Sequence, residues 1–436
     1  MTSRSCFLCY ADDSRKRKVP VQEKILILST WNHQHNPFTF LSPTRIFFGE
    51  GTAGSAADLL ADLGASNPLI VTDKVLIDKG VLAPILHSLS EAAISDPPIF
   101  QDVPSDSDID CVRRAIELGR KHNCDSLIAV GGGSVIDTAK VVNIGLSTGA
   151  DFLDYEGINS LNEALKPMLA LPTTAGTGSE VSAVAMIKNH ATGKKLLFGS
   201  RHLFANVALL DPSLLLSLPA RLTAATGMDA VTHAVESFVA NCSNPMSDSL
   251  ALHSLFLLLS TLPKATRSGD DMEARASTLL ASTMAGMSFT NSGVGIVHAL
   301  AHTVGAKYSV HHGIANAIFL PYGMEFNIDA AAQRYAQAWA YLCTAFSHGS
   351  SGDPALSARF VLGADERESA YHLVRAVRDL LDQCSLPTRL RDVGVPELAE
   401  DDLQELAETA MTDPAIMFNP RDASPEDLIS IIKGAY

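Results

Sequence analysis

Gly227-Met-Asp229-Ala-Val-Thr-His233 places a carboxylate and an imidazole four residues apart, so a helix would carry both on one face. His298-Ala-Leu-Ala-His302 repeats that spacing inside a stretch, Ala276 to Ala306, that contains no Asp, Glu, Lys or Arg, and His311-His312-Gly313 follows it. A single histidine on an apolar face is ordinarily a core residue with its hydrogen bonds satisfied. Several of them with an aspartate, on helices that must pack together, point instead to a metal site of nitrogen and oxygen donors. Such a set suits Fe(II), Zn(II) or a similar divalent ion, and residue types alone do not choose among these.

A different chemistry is suggested by Gly131-Gly132-Gly133-Ser134-Val-Ile-Asp137-Thr-Ala-Lys140, which follows the apolar run Leu127–Val130 and opens a helical pattern. Glycines let backbone N–H groups approach an anion closely, and a helix N-terminus adds partial positive charge, which together make a diphosphate cradle. The pattern is neither G-x-G-x-x-G nor a Walker A loop, and alone it fits a ligand-free strand-to-helix turn equally well. Pro172-Thr173-Thr174-Ala-Gly-Thr177-Gly-Ser179-Glu180 offers hydroxyls and a pliant backbone to a ribose and nicotinamide, or forms an ordinary loop capped by Ser179. Asp73, just past an apolar run, could bind a ribose 2′-OH and so favour NAD over NADP, or cap the next helix.

These groups need a scaffold, and the flanking pattern supplies one. Leu69-Ile-Val71, Pro98-Ile-Phe100 and Leu127–Val130 read as short buried strands, separated by helix-period segments such as Ile109 to His122. Alternation of that kind implies a parallel sheet covered by helices. After Leu209-Leu-Asp-Pro212 strand signals fade, and the remainder reads as successive helices. The expected architecture is an α/β dinucleotide-binding domain with a parallel sheet over 37–215 and an all-α metal-binding domain over 216–436, preceded by a flexible extension, 1–36. The cleft between the two domains is the default ligand site. The uncharged stretch is long enough to span a bilayer, but Asn291, Gly293, Gly295, His298 and His302 suit a buried core helix better.

Composition narrows the partners. The 436 residues are 47% hydrophobic and 19% charged, with a net charge of −15, which fits a globular chain and opposes attraction to nucleic acid or an anionic membrane surface. Arg15-Lys-Arg-Lys18 in the leader reads as a solvated tail, and Ile25 to Leu28 is too short for a secretory h-region. Seven cysteines, at 6, 9, 111, 124, 242, 343 and 384, are odd in number and scattered, which fits a reducing cytoplasm and no disulfide framework. Cys6-Phe-Leu-Cys9 lacks the second pair that a zinc knuckle needs, so it reads as incidental.

Taken in order, these segments resemble the iron-containing (group III) alcohol dehydrogenase family, of dehydroquinate-synthase-like fold. The resemblance runs from Phe38 to Tyr436 and includes Arg45-Ile-Phe-Phe-Gly49-Glu-Gly51, the GGGS-x-x-D-x-A-K and 172–180 segments, Leu222 through Glu236, His298 through Asn316, and Asn419-Pro-Arg421. It implies metal ligands at Asp229, His233, His298 and His312, with His302 as a proton relay beside them. It implies cofactor contacts at Asp73, Gly132, Gly133, Ser134, Thr173, Thr174 and Lys195, and an aromatic near the nicotinamide at Phe289; Gly131, Asp137 and Thr177, in the same two segments, are further cofactor-binding candidates. The chain departs from the family pattern at Thr303, where a proline is usual, and at Ser105-Asp106 in place of Asn-Pro. The implied activity is metal-dependent interconversion of a small alcohol and its aldehyde or ketone with NAD(H), in a homodimer or larger homo-oligomer. A hydroxyacid-oxoacid transhydrogenase and a lyase resembling dehydroquinate synthase are the alternatives.

Overall fold

In the computed structural model the described residues are 37–191, 194–348 and 360–436; the basic run of the leader and Cys6-x-x-Cys9 lie outside them. Along the chain the strands are β1 (Arg45–Phe48), β2 (Pro68–Val71), β3 (Ile99–Phe100), β4 (Ser126–Gly131), β5 (Gly157–Ile158), β6 (Met168–Pro172), β7 (Val184–Asn189), β8 (Lys194–Gly199) and β9 (Val207–Leu210). Between them run α1 (Ala56–Asp62), α2 (Lys74–Asp78), α3 (Ala83–Glu91), α4 (Ile109–Lys121) and α5 (Gly133–Thr148).

Six strands form one parallel sheet in the order β1-β9-β6-β4-β2-β3. The central strands are apolar without alternation because both faces are covered. Leu69, Val71, Leu127 and Ala129 pack with Val112, Ala115, Ile116 and Val141 of α4 and α5, while Ile70, Ile128 and Val130 pack with Leu60, Ile85 and Leu89 of α1 and α3. From β2 the chain moves outward to β3, and from β4 it moves the other way to β6, so the topology reverses between β2 and β4. At such a reversal the helices lie on opposite faces and leave a crevice beyond the strands' carboxyl ends. Asp73 follows β2 there, and the triple glycine ends β4.

An additional small sheet, β5-β8-β7, which the sequence reading did not include, contains the antiparallel β7–β8 pair with Lys188 opposite Lys195.

The rest of the chain is helical: α6 (Ala220–Val239), α7 (Pro245–Arg267), α8 (Met272–Ser292), α9 (Ile296–Tyr308), α10 (His312–His348), α11 (Glu366–Gln383), α12 (Glu400–Met411) and α13 (Pro425–Ala435). The expected single core helix across the uncharged stretch is in fact two helices, α8 and α9. Gly293 breaks it at φ +84°, with the Phe418 ring 2.4 Å from where a Cβ would stand, so a side chain is excluded both by backbone conformation and by space. His298 and His302 therefore belong to a new helix near its N-terminus. Among the described residues, no helix is long and apolar enough to cross a membrane, and the five described cysteines form no disulfide.

Candidate metal centre and cofactor cleft

The two halves face each other across a cleft of about 1920 Å³. That exceeds the ~300–1,000 Å³ typical of a drug-sized ligand and leaves room for a dinucleotide together with a small substrate.

On the helical wall, Asp229 and His233 lie one turn apart on α6, as their spacing requires, and both are buried. Asp229, His298 and His312 present ligand atoms that all lie within 4.8 Å of one another. Asp229 Oδ1 is 3.4 Å from His312 Nε2 and 4.0 Å from His298 Nε2. His311 stays out of this group; its carbonyl accepts the first N–H groups of α10, from Ile314 and Ala315. His233 stands beside the three and not within their 4.8 Å set. Its ring is stacked between Phe289, at 4.4 Å, and His298, at 4.6 Å, and its Nδ1 lies 3.2 Å from the Gly176 carbonyl. That contact puts the proton on Nδ1 and leaves the Nε2 lone pair available.

Burial and charge prepare these groups for a cation. Burial alone would raise the Asp229 carboxyl, but His233, His312, His298 and the Asn316 amide outweigh it and hold it at about 2. Burial drives the proton from His233, bringing it down to about 4 against the pull of Asp229, and it takes His312 well below the ordinary value. Burial also disfavours the charged form of His298, yet the Glu236 carboxylate 2.5 Å from its Nδ1 raises it. One anionic oxygen and imidazole nitrogens converging on the wall of the cleft make a donor set that fits Fe(II) or Zn(II).

Three further side chains shape this wall. Glu236, two turns beyond Asp229 on α6, holds His298 Nδ1 and also accepts the Val297 N–H at 2.7 Å, so one carboxylate orients a histidine and caps α9. Asp413 Oδ2 lies 2.8 Å from His302 Nδ1, and the His302 ring stacks on His312 at 5.1 Å. Asn316 Nδ2 donates to Asp229 Oδ1 at 2.7 Å. Spacing could have singled out Glu236 and Asn316, which recur at helical intervals from Asp229 and His312. Asp413 gives no local signal, because it meets His302 from 111 residues away.

On the sheet wall, α5 begins at the cleft with Gly132 as its extended N-cap, and Ser134 Oγ donates to the Ser105 carbonyl at 2.6 Å. Gly132, Gly133, Ser134, Asp73, Thr173, Thr174, Thr177, Lys195 and Phe289 all border the cleft. Gly131 lies behind them as the buried last residue of β4, its carbonyl bonded to the Thr173 N–H. Asp73 caps α2 through the Leu76 N–H at 3.0 Å, so the capping role is real, and it lines the cleft as well. Asp137 also borders the cleft and is tied into the scaffold. Its Oδ2 accepts the Met186 N–H at 3.0 Å, and Lys140 on the next turn donates to Ser182 and Val184, so this pair ties α5 to the strand β7 and the loop before it. Lys195 reaches Asp106 at 2.9 Å, and Lys188 reaches the same carboxylate at 3.1 Å.

The sequence and the fold recur in known proteins. Residues 43–212 match the iron-containing alcohol dehydrogenase family model, and 223–436 match its C-terminal counterpart. The NAD-dependent methanol dehydrogenase of Bacillus methanolicus is 34% identical over 396 residues, 91% of this chain and 99% of that protein. The crystal structure of a 1,3-propanediol oxidoreductase superposes with a TM-score of 0.85 at 34% identity, covering 92% of this chain and 100% of the other. Sulfoacetaldehyde reductase from Bifidobacterium kashiwanohense, solved with NAD+, superposes with a TM-score of 0.78 at 28% identity, covering 92% and 98%. The chain belongs to the iron-containing alcohol dehydrogenase family, and it is an oxidoreductase of that type.

Proposed function

We propose that the chain interconverts a small primary alcohol and its aldehyde with NAD(H), beside a divalent cation held by Asp229, His233, His298 and His312. Iron(II) is the ion the family name indicates. When bound, such a cation supplies Lewis-acid polarisation of an alcohol or carbonyl oxygen. The observation that carries this reading is the convergence of Asp229, His298 and His312 within 4.8 Å, on the wall facing the strand ends. His233 completes the set through Nε2, since its Nδ1 is engaged by Gly176.

The chain's own groups account for the remaining tasks. The α5 N-terminus at Gly132-Gly133-Ser134 receives the diphosphate, Asp73 receives a ribose hydroxyl, the Thr173–Thr177 loop and Lys195 line the path, and Phe289 flanks the nicotinamide. Asp413 keeps a proton on His302 Nδ1, so Nε2 is the atom that takes the alcohol proton toward solvent or returns it. The lining of the cleft includes the apolar Phe289, Val294, Ala301, Pro414, Ala415 and Phe418 beside Thr290, Thr303 and Thr412. Lys188 and Lys195 are occupied by Asp106, and Lys307 by Asp402 and Glu405. A lining of this kind, with its neighbouring cations already paired, favours an uncharged alcohol over an oxoacid. Anaerobic NADH oxidation with a panel of short aldehydes and oxoacids, on stripped protein with Fe(II) or Zn(II) restored, tests this. Aldehydes should lead the panel, and turnover of an oxoacid by tightly held NAD(H) without added nicotinamide would favour the transhydrogenase.

For assembly we propose a homodimer through β1. This outer strand carries exposed Ile46, Phe47 and Phe48, an edge that a protein must cover. The Arg45 N–H donates to the Asn206 carbonyl just before β9 and the Gly49 N–H to that of Leu210, so Ile46 and Phe48 turn their backbone groups outward. A second copy, antiparallel about a twofold axis at Phe47, pairs Ile46 with Phe48 in both directions and brings Arg45 near Glu50 of the partner copy. Light scattering should show a dimer that Phe47→Glu converts to monomer; an unchanged mass in the variant contradicts it.

A further inference from the structure

We propose that Asn316 is a positioning residue of the metal centre, whose side-chain NH2 holds the ligand oxygen of Asp229 toward His298 and His312. The inference rests on the reading of those residues as ligands. Asn316 lies one turn beyond His312 on α10 and is fully buried. Its Nδ2 lies 2.7 Å from Asp229 Oδ1, 3.1 Å from His312 Nε2 and 3.3 Å from His298 Nε2. A ring nitrogen has one lone pair, which either this amide or a cation takes, whereas the Asp229 oxygen can accept from the amide and keep a second lone pair for a cation.

The orientation of the amide follows from its neighbours. Reversing it would set Oδ1 against the Asp229 carboxylate and two ring nitrogens, acceptor against acceptor. Yet the present orientation leaves Asn316 Oδ1 buried with no partner. A leucine would fill similar space without stranding a carbonyl oxygen, so packing alone does not account for asparagine here. What does account for it is a donor that is also neutral. A lysine or arginine in this position would hold the same oxygen but repel a divalent cation, whereas the amide orders it without adding charge. Bonded to Asn316, the Asp229 carboxylate keeps Oδ1 turned toward the histidines, and ligand groups oriented in this way bind a metal more tightly than loose ones.

The test compares chelator-stripped wild-type protein with Asn316→Leu and Asn316→Asp. Co(II) is titrated in while its visible d–d absorption is followed, affinities are set by competition with a chromophoric chelator, and each protein is melted with and without Co(II). Asn316→Leu should bind Co(II) about 10–100-fold more weakly than wild type. Asn316→Asp keeps the shape but replaces donor by acceptor. It should melt lower than wild type without Co(II) and gain more in Tm when Co(II) is added, because the cation relieves repulsion between two carboxylates. Its isosteric side chain keeps the test decisive should the leucine variant fail to fold. Affinities within about twofold of wild type, with an equal Co(II)-dependent gain in Tm, would reduce Asn316 to a space-filler and overturn the proposal. If wild type itself binds no Co(II), the ligand assignment fails and this proposal fails with it.

Discussion

The two walls of the cleft work by different means. The helical wall is an assembly of side chains: Asp229, His233, His298 and His312, with Glu236, Asn316 and Asp413 behind them. The sheet wall is built largely of backbone, with the ends of β2 and β4 flanking a topological reversal and α5 starting at a triple glycine. A side-chain site is damaged by removing atoms, whereas a backbone cradle is damaged by adding them. The walls should therefore fail separately, one through metal and the other through cofactor.

The largest effect should come from His298→Ala. It removes a ligand atom and leaves Glu236 buried without its imidazole, so metal content by elemental analysis should collapse and turnover should fall by at least ~10³-fold. His302→Ala should retain the metal and slow turnover by about 10²-fold; equal metal loss in both would erase the division between ligand and relay. Glu236→Gln keeps the shape but weakens the hold on His298, and metal affinity should drop about 10–100-fold while the KM for NADH stays put. On the other wall, Gly133→Val places a Cβ 2.6 Å from Thr177 Cγ2. It should raise the KM for NADH about tenfold with full metal content; loss of metal in this variant would show that the walls are not separable.

The smallest effect is a matter of pH. His233 titrates at about 4 in the folded protein because it is buried, against an ordinary value near 6.5, and His312 is also lowered. Between those values the unfolded chain binds more protons than the folded one, so stability should fall as pH drops from about 6.5 to 4. His298, shifted upward by Glu236, opposes part of that slope. Urea unfolding of stripped protein across this range checks the sign, and a stability that rises toward acid would show the histidines are not held neutral.

The same contrast explains what could be read beforehand. Asp229 with His233, and His298 with His302, announce themselves because helical spacing places them on one face and charged neighbours are scarce. The alternation of short strands and helices likewise implies the parallel sheet and the cleft. GGGS was ambiguous, since a backbone cradle and a ligand-free turn use the same glycines, and Asp137 of that motif turns out to brace β7. The break between α8 and α9 depends on Phe418 packing against Gly293, and Asp413 reaches His302 from a distant turn. Neither contact leaves a local trace. The β7–β8 pair is equally silent in the sequence, its clasp on Asp106 arising only from the fold.

The most direct measurement is a crystal structure of the protein with Fe(II) or Zn(II) and NAD+, with the ion located by its anomalous signal. One peak per chain should lie within bonding distance of Asp229, His233, His298 and His312, with the diphosphate at Gly132-Gly133-Ser134 and the nicotinamide beside Phe289. An ion bound elsewhere, or a cofactor seated away from the start of α5, would contradict the account.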